Sequence, residues 1–161
     1  MNDRGRLPSA FASLCLTIAL AAVVSAADHD PFVGTWKLNI AKSTFEAGAP
    51  PKSSTATITT VGDKRRVRVH TVPATGAESN TESTAADDGK DYPMKGSLTV
   101  DTVSVIRIDP RTVERRDKKN GQVVATLRAS VSADGKTMTV NQRGVAAQGQ
   151  PYSNTLVYDR R

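Results

Sequence analysis

The sequence predicts an all-β domain, an antiparallel barrel or sandwich of nine or ten short strands. Three observations carry that prediction. Aromatic residues are only 4% of the 161 residues, and the apolar content is mostly Val, Ala, Ile and Leu beside abundant Thr. Such β-branched residues fit a pleated surface better than a helix. From Ser53 onward, apolar residues recur at every second position, the period of a half-buried strand. Turn residues then break the chain at nearly regular intervals. No segment holds a helical period, no linker divides the chain, and no repeat of recognisable length occurs.

Residues 1–26 read as a secretory signal. Arg4 and Arg6 form a basic start, Phe11 to Val24 is an apolar run, and Val24-Ser25-Ala26 supplies small residues for cleavage. The run is short for a bilayer span and is followed by Asp28, His29 and Asp30. The expected domain is therefore 27–161, periplasmic or secreted, with no membrane span after signal cleavage. Cys15 lies within the apolar run, so the mature chain holds no cysteine and must rely on packing rather than disulfides. Cleavage after Ala26 would expose Ala27-Asp28-His29, whose amine, amides and imidazole suit square-planar Cu(II) or Ni(II); an unstructured tail is the simpler reading.

Phe32 to Asn39 reads as a turn leading into the first strand, with Gly34 at the approach and Trp36, the single tryptophan, inside it. Ala41 to Lys52 holds Gly48 and Pro50-Pro51, leaving room for one helical turn near Lys42–Phe45. Ser54 to Val61 alternates Ala56 and Ile58 against threonines, and Gly62-Asp63 turns into Arg65 to Thr71. There Val67 and Val69 share one face while Arg66, Arg68 and His70 share the other, which makes a hairpin. Glu78 to Ala86 is a polar strand, and Pro93 limits Asp91 to Met94 to a short edge element. In Thr102 to Ile108 the apolar phase slips between Val105 and Ile106, predicting a bulge. Thr112 to Lys118 is joined to Gln122 to Val131 by Asn120-Gly121, the strongest hairpin signal present. The latter strand puts Val123, Ala125, Leu127, Ala129 and Val131 on one face. Asp134-Gly135 leads into Thr137 to Arg143, Ala146 to Gln150 is a polar loop, and Pro151 to Asp159 is the last strand.

Phe32-x-Gly34-Thr35-Trp36-Lys37-Leu38 resembles the opening strand of the calycins, the superfamily of lipocalins and fatty-acid-binding proteins. Val157-Tyr158-Asp159-Arg160 is similar to the close of the fatty-acid-binding proteins, and Asp134-Gly135-Lys136 falls near their penultimate hairpin. The whole domain also resembles small secreted bacterial lipocalin-like proteins. The resemblance implies a closed up-and-down β-barrel of about 8–10 strands, with Trp36 at its base and Arg160 packed across the indole as a structural clasp. Arg161 is the fallback for that clasp. Two departures stand against fatty-acid binding: Ala41 to Lys52 is too short and proline-rich for a helical lid, and Leu156 occupies the position of a carboxylate-binding arginine. Arg128, the other arginine considered, lies opposite the apolar face of its strand.

Chemistry is harder to find. His29 and His70 are the only histidines of the mature chain, so no zinc spacing exists, and no nucleophile has an evident base. Asp87, Asp88 and Asp91 around Gly89 lack the spacing of a calcium loop and read first as turn residues. The expectation is a protein that is not an enzyme and has no cofactor and no metal. The formal charge of +6 falls by one without the signal, leaving 20 basic and 15 acidic residues. Lys64-Arg65-Arg66-x-Arg68 and Arg111 to Lys119 form basic clusters without stacking aromatics, so no nucleic-acid partner is expected. On the last strand Tyr152, Asn154, Leu156 and Tyr158 share a face that mixes aromatic bodies with polar tips. That face either contacts a ligand or closes the core.

The functional expectation is non-covalent binding of a small, partly apolar molecule in the barrel. Tyr152, Asn154 and Tyr158 would make contact and Trp36 would form the floor. The alternative is a filled barrel whose basic face, with Arg66 and Arg68, meets an anionic glycan or a protein partner.

Overall fold

The computed structural model describes residues 30–46, 48–145 and 149–161. The leader at 1–26 and the Ala27-Asp28-His29 triplet lie outside the described residues, as do 146–148 of the loop expected before the last strand. Ten strands follow in chain order: β1 (Gly34–Leu38), β2 (Ser53–Val61), β3 (Lys64–Val72), β4 (Ser79–Ala85) and β5 (Asp88–Lys95), then β6 (Thr102–Asp109), β7 (Thr112–Lys119), β8 (Gln122–Val131), β9 (Thr137–Val145) and β10 (Pro151–Arg160). Each pairs antiparallel with its successor, and β10 returns to β1, so the sheet closes as an up-and-down barrel.

The register shows why these residues close a ring. Ala56 faces Val69 and Ile58 faces Val67 across β2 and β3, so the apolar parity of both strands lands inside together. Ala129 faces Val140 and Val131 faces Met138 on β8 and β9 in the same way. Asn120 and Gly121 both take positive φ, 50° and 77°, the two-residue turn whose twist matches the strands it joins. Trp36 and Val103 are fully buried and anchor a core completed mainly by Val, Ala, Ile and Met.

Four local expectations are corrected. The helical turn lies at Ile40–Lys42, upstream of Lys42–Phe45, because the Asn39 side chain accepts the Lys42 N–H at 3.1 Å and starts it early. Thr44 beyond it exchanges backbone hydrogen bonds with Thr155. The segment around Pro93 is an eight-residue strand within the ring, not a short edge. Met94 N–H bonds Asp101 on the β6 side, so the neighbouring Pro93 nitrogen faces β4, where a ladder donor is not needed. Only Glu82–Lys95 and Ser83–Met94 are in register across β4 and β5.

The bulge expected at Val105–Ile106 lies opposite them, on β5: Asp88 faces Ile106 and Asp91 faces Ser104, so the extra residue is in β5 across from Val105. Pairing of β6 with β7, by contrast, runs unbroken from Thr102 to Arg107 and shifts only between Arg107 and Asp109. Val105 simply faces inward and Ile106 outward, the latter 38% exposed. Val123 also leaves the inward series of β8. Asp117 faces Ala125 and Lys118 faces Val123, so Val124 is an extra residue and Val123 is 51% exposed.

Candidate functional site

The barrel interior holds a cavity of about 150 Å³, lined from every strand except β1 and β5 and from Phe32 ahead of β1. Its wall is mostly apolar: Ile58, Val67, Val105, Leu127, Met138 and Leu156 are representative. Strand parity places the exceptions. Arg65 shares the inward phase of Val67 and Val69 on β3, and Arg115 shares that of Val113 on β7. Two guanidinium groups therefore border the cavity, one toward each end.

At the base, Arg65 forms an ion pair with Asp87 and lies 3.5 Å from Asp30. Arg107 joins the same two carboxylates at 2.7 and 3.0 Å. Both arginines stack against Phe32, with Cζ 5.0 and 5.6 Å from its ring centroid. Burial pulls the Arg65 guanidinium below its ordinary pKa, while Asp87 and Asp30 oppose the shift. Phe32, whose N–H donates to the Asp30 side chain at 3.1 Å, is the residue that floors the cavity.

Toward the other end, Arg115 donates through Nε and Nη2 to the two oxygens of Asp117, whose residue is only 5% exposed. Tyr158 lines the cavity nearby. Burial raises its hydroxyl pKa, offset in part by a hydrogen bond with Ser54 and by the charge of Arg115. Ser54 in turn meets Thr71 at 3.1 Å. The polar groups at this end are thus bonded to one another rather than left bare.

Of the residues expected to contact a ligand, Tyr158 alone lines the cavity. Tyr152 folds over Gly144, where a Cβ would sit 2.8 Å from its hydroxyl oxygen, and that oxygen accepts from Gln142 at 3.1 Å. Burial and the charge of Asp117 raise its pKa. Asn154 is occupied otherwise: its side-chain oxygen accepts the Glu46 N–H at 2.9 Å, and the Glu46 carboxylate accepts the Ser153 N–H at 2.8 Å. This reciprocal pair ties the segment after β1 onto β10. Trp36 lies off the cavity wall, and its Nε1–H donates to the Phe32 carbonyl at 2.8 Å, so it supports the floor rather than forming it. Arg160 places Cζ 4.1 Å from the Trp36 ring centroid.

Phe32, Arg65, Arg115 and Asp117 were missed as site residues. A signal existed: Arg65 has the parity of Val67, and Arg115 and Asp117 have the parity of Val113. Their charge argued for solvent, although Asp117 stands two residues from Arg115 on the same face of β7 and the β3–β4 hairpin brings Asp87 to Arg65. Arg128 is exposed. On the outer surface, Arg66 and Arg68 flank Glu82, and Arg116 pairs with Glu114, so part of the basic face is neutralised. Among the described residues, no group of three or more His, Cys, Asp or Glu gathers as a metal site.

The closed ten-strand antiparallel barrel is consistent with the calycin resemblance. No protein-family model matches the chain, and no curated protein matches it in sequence.

Proposed function

We propose that this calycin-like barrel binds a small, at least partly apolar molecule non-covalently, without catalysis, in the periplasm or outside the cell. The observation that supports it is the interior cavity of about 150 Å³, walled by apolar side chains with a few polar groups at its ends. Apolar cavities of roughly this size take up single-ring molecules such as benzene. The apolar leader supports export. Native mass spectrometry of protein purified from its own cell envelope tests the reading. A retained mass of single-ring size, lost on partial denaturation, is the expected result. Bare protein that also takes up no single-ring compound in solution overturns it.

A second reading has its own observation. An outer-surface groove of about 340 Å³ is lined by Arg68, His70, Asn80 and Lys95 together with threonine hydroxyls, and Glu82 is its one carboxylate. That chemistry suits an anionic glycan. Retention on a heparin-like resin that falls with salt, and is lost in an Arg66→Ala/Arg68→Ala variant, would favour this reading.

A further inference from the structure

We infer that the molecule held in the cavity is uncharged and presents one hydrogen-bond acceptor, a carbonyl oxygen, to Arg115. This rests on the cavity-binding reading above and names its ligand class. The carrying observation is that both guanidinium groups bordering the cavity are already matched by carboxylates. Arg115 is held by Asp117 through two parallel hydrogen bonds. Arg65 shares Asp30 and Asp87 with Arg107, two cations against two anions.

Charge balance decides between ligands. A carboxylate entering this cavity would be an unmatched charge in a low-dielectric interior, and it would compete with Asp117 for the same guanidinium edge. An ammonium would likewise have to displace Arg115 from Asp117. A neutral carbonyl loses less hydration on entry and still gains a hydrogen bond from a charged donor. The donor capacity is there. A guanidinium carries five N–H groups, and Asp117 engages one on Nε and one on Nη2. Arg115 faces Val105 and Leu127 across its two neighbouring strands, so the ligand's polar atom would sit at one end with hydrocarbon around the rest. The volume of about 150 Å³ limits the body to about one ring. Single-ring ketones, aldehydes and esters are the matching class.

The test uses three compounds of nearly equal shape, titrated against the mature protein at pH 7 and followed by ligand-observed NMR. They are acetophenone, α-methylstyrene in which the carbonyl becomes a methylene, and benzoate. Acetophenone is expected to bind at least tenfold more tightly than benzoate and several-fold more tightly than α-methylstyrene. Asp117→Asn, which leaves Arg115 unmatched, should reverse the order of acetophenone and benzoate. An Arg115→Met/Asp117→Asn variant keeps the interior neutral should the single variant fail to fold, and it should bind acetophenone and α-methylstyrene alike. Wild-type protein that prefers benzoate overturns the inference while leaving cavity binding intact, as does a double variant that still prefers acetophenone. Failure of all three compounds to bind wild-type protein overturns the cavity reading, and the inference with it.

Discussion

The guanidinium of Arg160 lies over the indole of Trp36, with Cζ 4.1 Å from the ring centroid, and donates to the carbonyls of Gly135, Pro31 and Val33. One side chain thus joins the segment ahead of β1, the β8–β9 turn and the end of β10. Arg160→Lys keeps the charge but cannot fork to three carbonyls. It should lower unfolding free energy by about 2–4 kcal/mol in urea titrations, from weakened stacking and lost charged hydrogen bonds.

Trp36→Phe separates packing from hydrogen bonding at the same point. The ring is retained, but the Phe32 carbonyl loses its indole donor. Destabilisation of about 1–3 kcal/mol is expected from that unsatisfied buried acceptor and the smaller ring. Ligand affinity measured on the folded fraction should change little, because Trp36 is not part of the cavity wall.

Gly96 sits beside the sparsely paired junction of β4 and β5 with φ of 73°, and a Cβ there would lie 1.9 Å from the Asn80 carbonyl oxygen. Gly96→Ala should therefore destabilise by more than about 1 kcal/mol, from both φ strain and backbone displacement. Amide exchange should rise first in Ser79–Ala85 and Asp88–Lys95. A variant with wild-type exchange in both strands would contradict this.

Acid should weaken the barrel in a defined window. The Asp101 pKa is held low by the Asn120 N–H and the Lys119 ammonium, and that of Asp159 chiefly by the Asn39 amide. A folded pKa below the unfolded one contributes stability that is present above the unfolded value and lost as pH falls through the folded one. Melting temperature should hold at neutral pH down to about pH 5 and fall below about pH 4. An Asp101→Asn/Asp159→Asn variant should show a shallower fall.

Filling the cavity should trade binding for stability. Ala129 lines it in one row with Val140 and Leu156 across β8, β9 and β10, so Ala129→Leu would extend added carbons from that wall into the cavity. A gain of about 1–2 kcal/mol in unfolding free energy is expected, with loss of single-ring ligand uptake. Lower stability would mean the space is not available to a side chain.

Strand positions were legible because alternation and turn chemistry act within a few residues. Gln122–Val131 and the Asn120-Gly121 turn needed nothing beyond local pattern. Pro93 misled because its effect depends on which neighbour its nitrogen faces, a fact of the closed sheet. The site was less legible for a related reason. Arg65 and Arg115 carry the right parity to face inward, yet a lone arginine in sequence argues for water. The partner of Arg65, Asp87, is supplied by the pairing of β3 with β4, whereas that of Arg115, Asp117, was in reach two residues along the same strand face. The role of Asn154 depends on Glu46, far away in the chain.

The clasp described at the start also bears on the order of folding. Arg160 bonds Val33 across 127 positions, whereas the nine other strand pairings join immediate neighbours. Local hairpins can form early, but ring closure carries the largest loop entropy and is expected late. Until it happens, β1 and β10 are open edges, able to pair with another chain. Mutations at Trp36 or Arg160 should therefore raise aggregation during refolding, through the lifetime of an unclosed ring.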